Sequence, residues 1–133
     1  MHLVRGMDPQ LVGIYPDFGH MALDGEDLAM GLAMIRDYLA LAGIKDSFHA
    51  PQSEGSEPPY APMFTMLGGG SVNWRKVLEL LAGMDYAGPL VVHTEYKFGE
   101  GIIRQVGYAD EKPDSLESLV RQDAAYLRSL LAE

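Results

Sequence analysis

The sequence predicts an α/β fold on a parallel sheet of about three βα units, and three observations carry that expectation. Short apolar runs recur at Leu11-Val12-Gly13-Ile14-Tyr15, Leu39-Ala40-Leu41-Ala42-Gly43-Ile44 and Pro89-Leu90-Val91-Val92. They are continuously apolar rather than alternating, as strands covered on both faces are. Each opens onto polar side chains and is followed by helical spacing, so the order reads βαβαβα.

Asp8-Pro9 is a turn signal leading into the first strand, and Pro16, which has no N–H for a ladder, is expected to end it before Asp17. A helix is expected from about Asp27 to Tyr38, with Leu28, Leu32, Ile35 and Leu39 at helical spacing. The second strand follows with almost no linker. Residues 47–67 hold Pro51, Pro58, Pro59 and Pro62, so a long loop without regular elements is expected there. Its Phe48, Tyr60, Met63, Phe64 and Met66 are too apolar for a plain linker, which suggests a loop packed over something. Gly68-Gly69-Gly70-Ser71 leads to Asn73, an N-cap for a helix from Trp74 to Ala82 with Gly83 at its stop. After the third strand, residues 97–112 read as a loop. Asp114 and Glu117 then form a capping box for a C-terminal helix within 114–132, with Leu116, Leu119, Val120, Leu127 and Leu130 as its apolar stripe.

At 133 residues and 47% hydrophobic content, one domain spanning 1–133 can bury a core. Cysteine is absent, so neither disulfides nor thiolate metal sites are expected. No apolar run approaches the ~20 residues that span a bilayer, and no secretory pattern is present, which makes a cytoplasmic protein without a membrane partner the expectation. The net charge of −9 and the lack of a Lys/Arg cluster argue against nucleic acid.

The chemistry-bearing residues sit at the three strand ends. Asp17 and His20 could bind a divalent metal or move protons, or simply cap a turn and fill a hydrogen bond. His93 and Glu95, two apart on a strand, point to one face, a costly arrangement unless they are paired, metal-bound or near water. Lys45 could neutralise an anionic oxygen, or pair with Asp46 at the surface. The triple glycine lacks the Lys-Ser/Thr of a P-loop but could offer N–H groups to an anion, or be a turn. His49 is expected in solvent.

The run Tyr15-Pro16-Asp17-Phe18-Gly19-His20 resembles the D-x-G-H strand end of the sugar phosphate isomerase/epimerase family, whose members have a xylose isomerase-like TIM barrel. Three more features follow in that family's order: Ile44-Lys45-Asp46, the Gly68–Trp74 loop (similar to G-x-G-x-hydrophobic-D-W/F), and Tyr86 to Tyr96. The resemblance covers nearly all of the chain and corresponds to the family's last three βα units. It implies a divalent metal held by two acidic residues, an Asp and a His, and glutamates that exchange protons beside a sugar carbonyl. Asp17 matches the metal-binding Asp, and His20 the neighbouring substrate-contacting His. The family's metal-binding His falls at Gly43, and its last glutamate at His93 with Glu95 two residues on; a branch of the family carries H-x-E-Y there. The strand bearing the other glutamate lies before the matched region.

The expectation is therefore a partial TIM-barrel-like unit acting as a sugar (phosphate) isomerase/epimerase by metal-assisted proton transfer. Asp17, His93 and Glu95 would hold Mn, Mg or Zn, with Glu95 also the general base. His20 would orient a hydroxyl, Lys45 would hold an anionic group, and Tyr15 and Trp74 would contact the sugar. Alternatives are a non-catalytic carbohydrate-binding or assembly subunit, or a fragment of a longer isomerase. Three strands cannot close an eight-stranded barrel, so a homo-oligomer that completes or covers the sheet is expected.

Overall fold

The structure, a computed structural model, describes residues 3–95 and 116–132. The expected loop 97–112 and the Asp114 cap lie outside them. Three parallel segments form one small sheet. Strand β1 (Ala42–Ile44) pairs in parallel with β4 (Leu90–Val92), with Gly43 opposite Val91. On the other side of β1 the chain at Ile14–Asp17 is held by two parallel bridges, Ile14 with Leu39 and Asp17 with Gly43. The first strand is thus shorter and later than the apolar run suggests. Leu11 and Val12 turn back on Asp8, and Pro16 does not end the pairing. Its carbonyl needs no N–H of its own to accept from Gly43 N at 2.8 Å.

Helix α1 (Phe18–Leu23) begins directly at the first strand's end, ahead of the helix expected from about Asp27. Asp17 caps it, its Oδ1 accepting from His20 N at 3.1 Å. Helix α2 (Leu28–Ile35) is capped by Asp27 and tightens into a 3₁₀ turn over Arg36–Tyr38, close to the expected span. Helix α3 (Trp74–Gly83) is capped by Asn73, as expected, and buries Trp74, Val77 and Leu81. The left-handed residue after it is Asp85, at φ 57°, rather than Gly83. Aspartate tolerates that conformation because its short side chain bonds locally. Helix α4 (Leu116–Leu131) buries Leu119 and Leu127.

The main departure lies in residues 47–67. They form an antiparallel hairpin, β2 (Asp46–Pro51) with β3 (Tyr60–Thr65), in register from Asp46 opposite Thr65 to Pro51 opposite Tyr60. Four prolines masked it. In a two-stranded ribbon each strand has an open side, so Pro51 and Pro62 fit where a missing N–H costs no ladder bond. The apolar residues alternate as a half-buried ribbon requires, with Ala50 and Met63 buried and His49 exposed.

The core joins α1, α2, the parallel sheet, α3 and α4 through Phe18, Met21, Leu32, Ala42, Ile44, Leu67, Val72, Trp74, Val77, Leu81 and Leu127. The Phe18 and Trp74 rings meet edge to face at 6.2 Å. The described strands make two two-stranded sheets and two bridges; they close no barrel. No helix among the described residues is long and apolar enough to cross a membrane.

Candidate functional site

Parallel strands present their carboxyl ends on one side of a sheet, and there the functional groups meet. Asp17 leaves the first segment, Lys45 follows β1, and His93 and Glu95 follow β4. Lys45 Nζ lies 3.0 Å from Asp17 Oδ2, 2.9 Å from Glu95 Oε2 and 3.0 Å from His20 Nε2. His93 Nδ1 lies 3.1 Å from the same Asp17 oxygen. The other imidazole nitrogen, Nε2, is hydrogen-bonded to the Tyr15 hydroxyl, whose ring stands edge-on to His93. Asp17 therefore divides its work: Oδ1 caps α1, while Oδ2 faces Lys45 and His93.

Exposure separates these groups. The Lys45 side chain is 2% exposed and Asp17 20%, whereas His20 and Glu95 are 55% and 56% exposed. The cluster thus has a buried floor and two mobile-length side chains at its mouth. Burial pushes the Asp17 carboxyl up, but the Lys45 hydrogen bond, the His20 amide, and the Lys45 and His20 charges outweigh it and hold it below its ordinary value. Burial, and then the Asp17 charge, raise the Tyr15 phenol against the opposing pull of Lys45, so the hydroxyl keeps its proton.

Phe64, on β3, forms the remaining wall. Lys45 Nζ lies 4.2 Å from its ring centroid, and the His20 ring meets it edge-on at 5.4 Å. The segment expected to pack over something packs over the site. Its apolar content was the signal; the identity of the covering residue needed the hairpin register.

Asp46 and the triple glycine serve the scaffold. Adjacent on the chain, Lys45 and Asp46 both turn inward and do not pair at the surface. Asp46 is 0% exposed and accepts from Ser47 N, Val72 N, Gly68 N and Trp74 Nε1. Gly68 N and Val72 N, at the two ends of the glycine loop, do donate to an anion, and the anion is this chain's own carboxylate. A Cβ on Gly70 would come within 2.2 Å of Asp46 Oδ1, which explains a glycine there. Trp74 is consequently displaced from its expected role: it is 2% exposed, packs on Phe18, and its indole N–H is spent on Asp46. It does not face the cluster. Asp123 on α4, also buried and accepting from Leu67 N at 2.9 Å, pins the same loop from the other side.

The expected metal set of Asp17, His93 and Glu95 is not assembled. Among the described residues no three His, Asp or Glu side chains are placed to hold a metal ion. Glu95 is engaged by the Lys45 ammonium, which lies where the carboxylates converge. At an effective dielectric near 20, a divalent ion about 4 Å from that ammonium would meet a repulsion of about 8 kcal/mol, set against its attraction to carboxylates that the ammonium already neutralises. These residues, so arranged, do not fit a divalent ion.

Comparison with known proteins agrees with the architecture. A solved structure with TM-score 0.55 is a xylose isomerase-like TIM barrel protein from Mycobacterium smegmatis in complex with magnesium. It shares 20% identity with this chain; the match covers 91% of this chain and 35% of that one, so the chain spans about a third of its length. No curated protein matches. The model of the xylose isomerase-like TIM barrel family matches residues 1–130, and the chain belongs to that family.

Proposed function

We propose that this unit carries one part of a sugar isomerase/epimerase-like site, in which the cluster abstracts a proton from the carbon beside a sugar carbonyl. The supporting observation is that Asp17, His20, Lys45, His93 and Glu95, brought from three separate strand ends, meet within hydrogen-bond distance in one cluster built on the buried Lys45. Glu95 is the base. Its side chain is half exposed, and when its carboxylate turns to the substrate carbon it releases an N–H of Lys45. That N–H then donates to the carbonyl oxygen and stabilises the enediolate as its charge develops. One movement thus supplies the base and frees the electrophile. His20 donates to one sugar hydroxyl, and the Tyr15 hydroxyl, whose proton goes to His93 Nε2 while His93 Nδ1–H goes to Asp17, accepts from another.

The charges favour a neutral sugar over its phosphate. The Lys45 ammonium is outnumbered by the Asp17 and Glu95 carboxylates, an excess of negative charge that disfavours a phosphate. In this reading Lys45 meets a carbonyl oxygen instead of the anionic group expected from the sequence. The described sheet leaves strands unpaired on both sides, so we also propose that a second copy covers them, as light scattering would show; a monomer at micromolar concentration would refute it.

The test is hydrogen exchange in D₂O with a panel of aldoses, ketoses and their phosphates. Deuterium should enter at the carbon beside the carbonyl of a neutral sugar, and Glu95→Gln should slow this by roughly 10²–10⁴-fold. Exchange with no sugar would sink the catalytic reading. A second reading, a carbohydrate-binding unit without turnover, is favoured by Gly43 standing where the family's metal-binding His falls. It predicts sugar-dependent thermal stabilisation without exchange.

A further inference from the structure

A cation is already built into the cluster. An ammonium has three N–H donors, and Lys45 has three acceptors, on Asp17, Glu95 and His20, at 2.9–3.0 Å. The Phe64 ring closes the position from another side at 4.2 Å and adds its own attraction for positive charge. Two glycines make the arrangement possible. A Cβ on Gly19 would lie 2.7 Å from the Lys45 carbonyl oxygen and 3.2 Å from its Cγ, so only glycine lets α1 pack against this lysine. A Cβ on Gly43 would lie 2.8 Å from the Pro16 carbonyl oxygen and 3.2 Å from Asp17 Cα. The backbone at Gly43 is therefore closed to a side chain that could bring a further donor. Carboxylates and imidazoles of the kind that collect divalent ions converge here on an ammonium.

We infer that Lys45 is the resident cation of this site, held at the point a divalent ion would otherwise take, and that the native cluster binds neither Mg²⁺ nor Mn²⁺. The inference goes beyond the proposed reaction and holds whether or not the cluster turns over a sugar. It accounts for the missing donor at position 43: with a permanent cation on β1's end, the site needs no metal-binding imidazole there. Replacing Lys45 by an apolar side chain of similar length should leave Asp17, Glu95 and His20 around a cation-sized gap, with His93 beyond Asp17.

The test uses the full chain and MnCl₂ alone, with free Mn²⁺ read by electron paramagnetic resonance and the imidazole protons of His20 and His93 followed by NMR. Native protein should leave Mn²⁺ free and both imidazole signals unbroadened. Lys45→Met should bind one Mn²⁺ per chain at least about tenfold more tightly than native protein, because the competing charge is gone. Lys45→Met combined with Asp17→Asn should lose that binding. Two results would overturn the inference: native protein broadening both imidazoles through a site that Asp17→Asn removes, or folded Lys45→Met taking up no Mn²⁺. Should Lys45→Met fail to fold, as judged by circular dichroism, the native NMR titration decides by itself.

Discussion

Replacing Asp46 by asparagine should remove much of the stability of this domain without touching the Lys45 cluster. The carboxylate is wholly buried and takes four N–H donors. Ser47 N at 2.8 Å and Val72 N at 3.1 Å bind Oδ1, while Gly68 N and Trp74 Nε1, each at 2.9 Å, bind Oδ2. Asparagine keeps the shape, but its NH₂ must replace one oxygen. Whichever way the amide turns, two donors then face a donor. Losing two hydrogen bonds to a charged acceptor, at ~1.5–3 kcal/mol each, gives a destabilisation of about 3–6 kcal/mol. Domains of this size have about 5–15 kcal/mol in all. Trp74 is the only tryptophan, and its indole N–H is one of the four donors, so its fluorescence reports directly on a urea titration. With a slope of ~1–3 kcal/mol/M, the midpoint should fall by about 2 M. A fall below ~0.5 M at unchanged slope would refute the reasoning, because the four bonds could not then be formed as described.

Two further outcomes follow from the same contacts. Asp17 titrates below its ordinary value in the folded chain, so its contribution is fully present above the unfolded carboxyl's pKa of about 3.9 and is lost as pH falls through the lower folded value. The difference in urea midpoint between native protein and Asp17→Asn should hold steady from neutral pH to about pH 5 and narrow as pH falls below about 4; a gap that already narrows above pH 5 would contradict the Lys45 pairing. Phe18→Ala should cost about 3–5 kcal/mol, since Phe18 is 0% exposed and its ring edge meets Trp74. A loss under ~1 kcal/mol in the same titration would mean that α1 is not seated on the core.

Much of the scaffold was legible because local signals and burial agree. Asp27 and Asn73 cap the helices that the apolar spacing marks, and the continuous apolar runs at Ala42–Ile44 and Leu90–Val92 are strands, the first buried and the second half-buried. Asp17 reads as a turn cap in sequence and caps a helix instead, because a six-residue helix is too short for apolar periodicity to reveal it. The β2–β3 hairpin was hidden by Pro51, Pro58, Pro59 and Pro62, because proline statistics describe central strands better than two-stranded ribbons. Among the candidate site residues, Asp17, His20, Lys45, His93, Glu95 and Tyr15 are gathered together. Trp74 is expected to contact the sugar and is core instead, since nothing local reveals that its N–H is committed to a buried carboxylate 28 residues earlier.

By itself, the sequence determined the βα order, the helix caps and the kinds of side chain at three strand ends, because each depends on residues within a few positions of one another. Only the tertiary structure decided what those side chains do. The parallel register that sets Gly43 between Asp17 and Val91 brings Lys45 among Asp17, His20 and Glu95. Whether two carboxylates face a metal, a substrate or an ammonium depends on charges brought together across 28 to 78 residues of chain. The sequence lists the charges without the distances, and electrostatic energy is set by distance.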